Sequence, residues 1–317
     1  MPVRIYLVIL LLGWWTAASQ AESARYRIEL ADHNPQAGDE GERTIRTSTA
    51  YNSTDTAAGQ TTTSNSLAFI ELKGREKVLT WDVSNNVSKV ELFVEHFVDV
   101  KDSRTNELLK AGSELAGNSL AGESFFRLRR GSLSSEVQGQ LDKSYNLCPL
   151  TFHTSVTKGK LPPTVAVGEA WQLSSSFAPE ELRAFGLAGT NGVDHTGQLV
   201  ALTNFCGIDC FHIRSHVAST NTPDFVKKIF GPRAPVKIDM QVRLTIDLIV
   251  PVDASQRILS QSVLIEVTGS SELGGGDRPK AISQSRLTTK MLDEFRPLSH
   301  PARDGTNRGA STGETGN

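Results

Sequence analysis

Hydrophobic and polar positions in this 317-residue chain alternate with a period of two over unusually long stretches. In PVKIDMQVRLTIDLIV, residues 235–250, one side carries Val236, Ile238, Met240, Val242, Leu244, Ile246, Leu248 and Val250. The other side carries Lys237, Asp239, Gln241, Arg243, Thr245 and Asp247. Successive side chains on a strand point to opposite faces, so this segment predicts one strand with an apolar and a wet face. At about 3.4 Å per residue it would reach roughly 50 Å, several times an ordinary strand. That length suits a strongly curved antiparallel sheet.

KVELFVEHFVDVKD, residues 89–102, repeats the pattern, with Val90, Leu92, Val94, Val98 and Val100 sharing a face with His96. Shorter alternating runs occur at Leu79-Trp81-Val83, Phe211 to Val217 and Leu259 to Val267, separated by polar, Gly-rich segments. The expected class is mostly β, with long, curved, antiparallel strands in a half-barrel-like arrangement of two related halves. Two short helices complete it. APEELRAFGLAG (178–189) has Pro179 and acidic residues at its start and glycines at its end, and TPDFVKKIFG (222–231) has Thr222 as N-cap and Gly231 as stop. The apolar stripe of the second is expected to cap an open sheet.

Leu161-Pro162-Pro163 interrupts the strand pattern and divides the chain into β-rich segments 22–160 and 161–298. The Thr/Ser/Asn-rich stretch 47–66 shows no apolar alternation and is expected to contain an extended or mobile loop. Residues 299–317 offer no apolar side chains to bury and are expected to be disordered. At the other end, MPVRIYLVILLLGWWTAASQA has a basic start, an apolar run and a small-x-small close, the pattern of a secretory signal peptide cleaved near Ala21. The mature chain is expected to be periplasmic or extracellular, with no integral membrane segment, since no second apolar run approaches membrane-spanning length.

Charge narrows the partners. With 33 basic and 35 acidic residues spread evenly, nothing provides the basic face a nucleic acid requires. Catalytic signatures are missing: there is no G-x-S-x-G, H-E-x-x-H, Walker loop or dinucleotide fingerprint, and no enzymatic activity, cofactor or resident metal is expected. His96 interrupts a row of valines and reads either as a buried ligand or as a histidine satisfied near an open rim. Trp171 reads as core packing or as the wall of a ligand cavity. Asn52-Ser53-Thr54 and Asn86-Val87-Ser88 are glycosylation sequons.

The densest cluster of reactive side chains is FCGIDCFHI, residues 205–213. Read as a hairpin, its loop is Gly207-Ile208-Asp209, which sets Cys206 across from Cys210 and puts Cys210 and His212 on the face away from Phe211 and Ile213. A Cys206–Cys210 disulfide suits an exported protein. A bridge from Cys148 to either, free thiols, or a metal bound by Cys206, Cys210 and His212 are the alternatives.

One resemblance joins these segments. LPPTVAVGEAWQL is followed by the short PEELRAFGL helix and by a T-G-x-L-x-x-L hairpin whose second strand opens on a cysteine. This resembles a family of uncharacterised exported β-rich proteins from bacteria such as planctomycetes. The layout of long strands is also similar to the lipoprotein-carrier half-barrels, whose curved sheets hold acyl chains against covering helices. The eight-position apolar face from Val236 to Val250, longer than a small core needs, gives the leading expectation: an exported, non-catalytic protein that holds a hydrophobic or lipid-like ligand on a concave sheet. Val236, Ile238, Met240, Val242, Leu244 and Ile246 would face it. The alternative is a ligand-free structural or interaction protein of the cell envelope, its protein partners unspecified.

Overall fold

A computed structural model describes residues 24–30, 33–120, 123–145, 162–172, 194–220, 237–273 and 281–298. Both expected helices lie outside these residues, as do Val236, Cys148, the leader and the tail.

The chain forms β1 (Arg25–Tyr26), β2 (Glu40–Ala57), β3 (Gln60–Asp82), β4 (Val87–Lys101), β5 (Arg104–Leu109), β6 (Glu114–Leu120) and β7 (Glu123–Leu128). A helix, α1 (Ser135–Ser144), follows, then β8 (Val165–Ala166), β9 (Ala170–Gln172), β10 (Asp194–Phe205), β11 (Ile208–Thr220), β12 (Lys237–Pro251), β13 (Ser260–Leu273) and β14 (Ala281–Pro297). Twelve strands make one sheet in the order β7-β6-β4-β3-β2-β14-β13-β12-β11-β10-β9, with β5 also on β4, while β1 and β8 pair separately. Every pairing is antiparallel, and β14 lies along β2 from Ala281↔Ala57 to Pro297↔Gly41. The class is the one the alternation predicts: a mostly β chain in a large, curved sheet that does not close.

The long strands arise where the patterning demands them. β12 buries Val242, Leu244, Ile246, Leu248 and Val250 and leaves Gln241 and Arg243 exposed. These residues join Phe211, Ile213 and Val217 of β11, Leu199 of β10 and Val263 and Val267 of β13 in one core. Ile28 and Leu30 of the N-terminal segment, Val165 of β8 and Trp171 of β9 complete it. A second core covers the other half of the same face, from Ile45, Leu72, Val90, Leu92, Val94 and Phe97 to Val137, Leu141 and Tyr145 at α1.

The structure corrects three expectations. Residues 47–66 are not a loop. They form the distal part of the β2–β3 hairpin, turning at Ala58-Gly59, where both φ angles are positive (51° and 79°). Threonine favours extended backbone, and with polar side chains on both faces no apolar period betrays the strand. In β4, the pairing slips between Lys73↔His96 and Gly74↔Val94, leaving Glu95 extra. That bulge reverses the parity, so Val94 and then Phe97 point inward and His96 outward. Third, α1 was absent from the pattern because Val137 and Leu141 are its only buried apolar positions; its start is fixed by Ser134, whose Oγ accepts from the Val137 N–H at 3.2 Å.

Candidate functional site

The residues expected to face a ligand can be followed one by one. Val236 lies outside the described residues, and Ile238 and Met240 are placed on β12 by their backbone register alone. Val242, Leu244 and Ile246 are 1%, 0% and 1% exposed, so almost none of their surface is open to water. Trp171 is buried in the same core, its indole lying against Gly197, the residue paired with it across β9 and β10. A Cβ on Gly197 would meet the indole Nε1 at 2.5 Å, so glycine makes the room for that ring.

The cysteine hairpin differs from its sequence reading in register. Phe205 pairs with Ile208, so the loop is the two residues Cys206 and Gly207, with φ of 54° and 84° as a tight hairpin turn requires. Cys210 lies opposite Thr203, and Cys206 sits in the turn rather than across the ladder. The expected Cys206–Cys210 disulfide is accordingly not formed, and both thiols are free. Cys206 is exposed, whereas Cys210 is buried beside Leu259 and Phe295. Burial pushes the Cys210 thiol up to about 11. Brief alkylation of the native protein is expected to label Cys206 first, with Cys210 reacting only on unfolding; peptide mapping checks this.

His96 and His212 each meet a carboxylate on the outer face. His96 Nε2 lies 2.8 Å from Glu71, which also pairs with Arg46. His212 Nε2 lies 2.8 Å from Asp247, which accepts from Arg214 Nε at 2.8 Å. In both cases an arginine already compensates the acid. Among the described residues no group of three or more His, Cys, Asp and Glu side chains is arranged to hold a metal.

Sequence reasoning missed a buried ionic junction between the two cores. Glu76 of β3 is fully buried and accepts from Arg43 of β2, from Arg257 in the segment between β12 and β13 (2.8 Å), and from the Tyr145 hydroxyl just past α1. Arg43 also forks onto Asp293 of β14, with Nε and Nη2 at 2.9 and 2.6 Å from the two carboxylate oxygens. The Arg43 guanidinium lies 4.4 Å from the Tyr145 ring centroid, and Arg257 lies 4.1 Å from that of Phe295. Burial alone would push the Glu76 carboxyl up, but Arg43 and Arg257 together hold it below the usual carboxylate range. With two cations on two anions the junction is balanced. It fastens α1 and the 252–259 segment to the middle of the sheet.

A groove with an aromatic floor lies on the outer face, over β3, β4 and β6. It encloses about 370 Å³ and is bordered by Glu40, Arg75, Lys77, Glu91, Glu114 and Arg129 around Phe93. Phe93 stands where the alternation calls for a polar residue, and 49% of it is exposed.

No family model and no curated protein matches this chain. Among solved structures, a DUF1329 family protein from Desulfovibrio piger is 12% identical, with 80% of this chain and 87% of that one covered and a TM-score of 0.12. The outer membrane protein OprG from Pseudomonas aeruginosa is 8% identical, covering 84% and 100%, at a TM-score of 0.10. The toluene transporter TodX of Pseudomonas putida is 9% identical, covering 88% and 74%, at a TM-score of 0.09. Likenesses this weak carry no functional argument, and none of them supports a planctomycete affiliation. Among the described residues no helix is long and apolar enough to cross a membrane.

Proposed function

We propose that this chain is an exported, non-catalytic binding protein of the cell envelope that works through the surface of its sheet rather than through an enclosed apolar cavity. Segments 22–160 and 161–298 supply the two halves of that sheet, and the leader ending near Ala21 directs export. The observation that carries the reading is the buried interior: the apolar row Val242, Leu244, Ile246 and Leu248 is no more than 2% exposed and belongs to one core with Ile28, Leu30, Val165 and Trp171 of the same chain. A site for a lipid or other hydrophobic molecule needs apolar walls that such a molecule can reach.

A hydrophobic-ligand reading keeps one support. In the row that starts at Val242, the register runs through Val267 and Leu287 to Tyr51, and Tyr51 is 38% exposed. Any such ligand would lie there, toward the end of β12 that carries Ile238 and Met240.

Native mass spectrometry of the gently purified mature chain separates the two. The expected spectrum is the polypeptide mass alone, with no uptake of a fluorescent fatty acid. A stoichiometric copurifying lipid would overturn the surface reading.

A further inference from the structure

The groove around Phe93 is shaped by the backbone. Two irregularities in the β3–β4 ladder, at Lys73/Gly74 and at Val78/Thr80, bracket the stretch Gly74–Val78. Bulges bend a strand and sharpen its twist, and here they flank the hollow on the outer face. At Gly74 the strands approach so closely that a Cβ would meet the Phe93 carbonyl oxygen at 2.4 Å. The register then fixes the lining. Arg75, Phe93 and Glu114 form one cross-strand row, and Glu40, Lys77, Glu91 and Ala116 form the next.

The charges fall into two groups. Arg75 is held by Glu40 at 3.0 Å, and Arg129 by Glu114 at 2.8 Å, so these four are mutually compensated at the rim. Lys77 and Glu91 face each other in register, yet neither makes an ion pair with any described residue. What remains for a ligand is an aromatic platform with the Lys77 ammonium and the Glu91 carboxylate beside it, the latter also acting through space on Arg129. That combination recognises a molecule with an apolar side chain and both charges of its own.

We infer that this groove binds a short zwitterionic peptide, resting an apolar side chain on Phe93, with its carboxylate on Lys77 and its ammonium toward Glu91. The assignment rests on the surface-binding reading above and names the ligand class that reading leaves open. Exposed charges are screened by salt, so binding weakens as ionic strength rises.

The test uses the full mature chain and the dipeptide Leu-Phe with free termini, followed by calorimetric titration. Phe93→Ala removes the aromatic surface the ligand would bury and is expected to weaken binding by about tenfold or more, a change that 1.4 kcal/mol already supplies. Lys77→Gln and Glu91→Gln are each expected to weaken it severalfold, and the blocked peptide N-acetyl-Leu-Phe-amide to bind the unmodified chain about as poorly as Leu-Phe binds a chain carrying both Lys77→Gln and Glu91→Gln. All three positions are exposed on the sheet surface, so circular dichroism should show unchanged folding. No saturable heat at millimolar dipeptide, equal affinity of the blocked peptide, or unchanged binding by Phe93→Ala would each overturn the assignment. If the dipeptide is silent while the native mass spectrum is free of lipid, the groove assignment falls and the surface reading stands; a bound lipid defeats that reading whatever the titration shows.

Discussion

Glu76→Ala is expected to destabilise the protein by about 3–5 kcal/mol, lowering the melting temperature by roughly 10 °C. The loss would come less from the missing attraction than from what it leaves behind. Arg43 and Arg257 are 2% and 4% exposed, and without Glu76 both guanidinium groups lose a buried counter-charge. Arg43 retains Asp293, which is one-third exposed; among the described residues Arg257 retains only the face of Phe295. Arg43→Met with Glu76→Leu and Arg257→Met removes all three buried charges together. That triple variant is expected to be far less damaging than Glu76→Ala, and even neutral, because the desolvation cost disappears with the pairs. Asp293 has solvent to turn to. Denaturant midpoints for the two variants decide the matter, and a triple variant as unstable as the single one would show that the pairs are net stabilising.

The junction also sets an acid limb. The folded-state pKa of Glu76 lies below its unfolded value, so the unfolded chain takes up this proton first as pH falls. The stabilisation is therefore complete above the unfolded carboxyl range of about 4.3 and drains away as pH drops from there through the folded value. Stability near neutral pH is expected to be flat with respect to this group. Urea titrations between about pH 4.5 and pH 3 should give a shallower slope for Glu76→Gln than for the unmodified chain.

How much of this was legible depends on which face of a strand is buried. β12 could be read almost to the residue because one face is apolar and the other charged. The distal β2–β3 hairpin could not, since Thr61, Thr62 and Thr63 are exposed and their partners Thr56, Asp55 and Thr54 are polar, so neither face leaves an apolar trace. The β4 bulge was hidden for another reason: valines and phenylalanines occupy both parities around Glu95, so either register looks apolar from sequence. The ionic junction joins residues separated in the chain by 33, 69, 181 and 250 positions, which no local motif encodes. Yet a trace existed. Arg43 shares parity with the buried Ile45, and Glu76 with the buried Leu72 and Val78, so charged residues occupy inward positions of otherwise apolar rows. A charge at such a position must find a partner inside.

The apolar row of β12 supports the second large prediction, because filled and ligand-lined interiors respond differently to truncation. Leu244 is 0% exposed, with Val217 and Ile265 opposite it on the neighbouring strands. In a packed core, Leu244→Ala removes buried methyl groups and leaves a cavity the neighbours only partly fill, at a cost of about 2–5 kcal/mol. Ile246→Ala, 1% exposed in the same row, should cost a similar amount, whereas Arg243→Ala on the outer face should stay within about 0.5 kcal/mol. Were these side chains instead the wall of a ligand cavity, their space would already be shared with a guest. Truncation would then enlarge the cavity at little cost to the apo protein and would change the copurifying ligand. Equilibrium unfolding in urea distinguishes the outcomes, with the midpoint falling and the slope unchanged if the core is solid. A Leu244→Ala protein as stable as the unmodified chain would mean that β12 faces open space, and the proposal of a surface-acting protein would have to give way to one that carries its ligand inside.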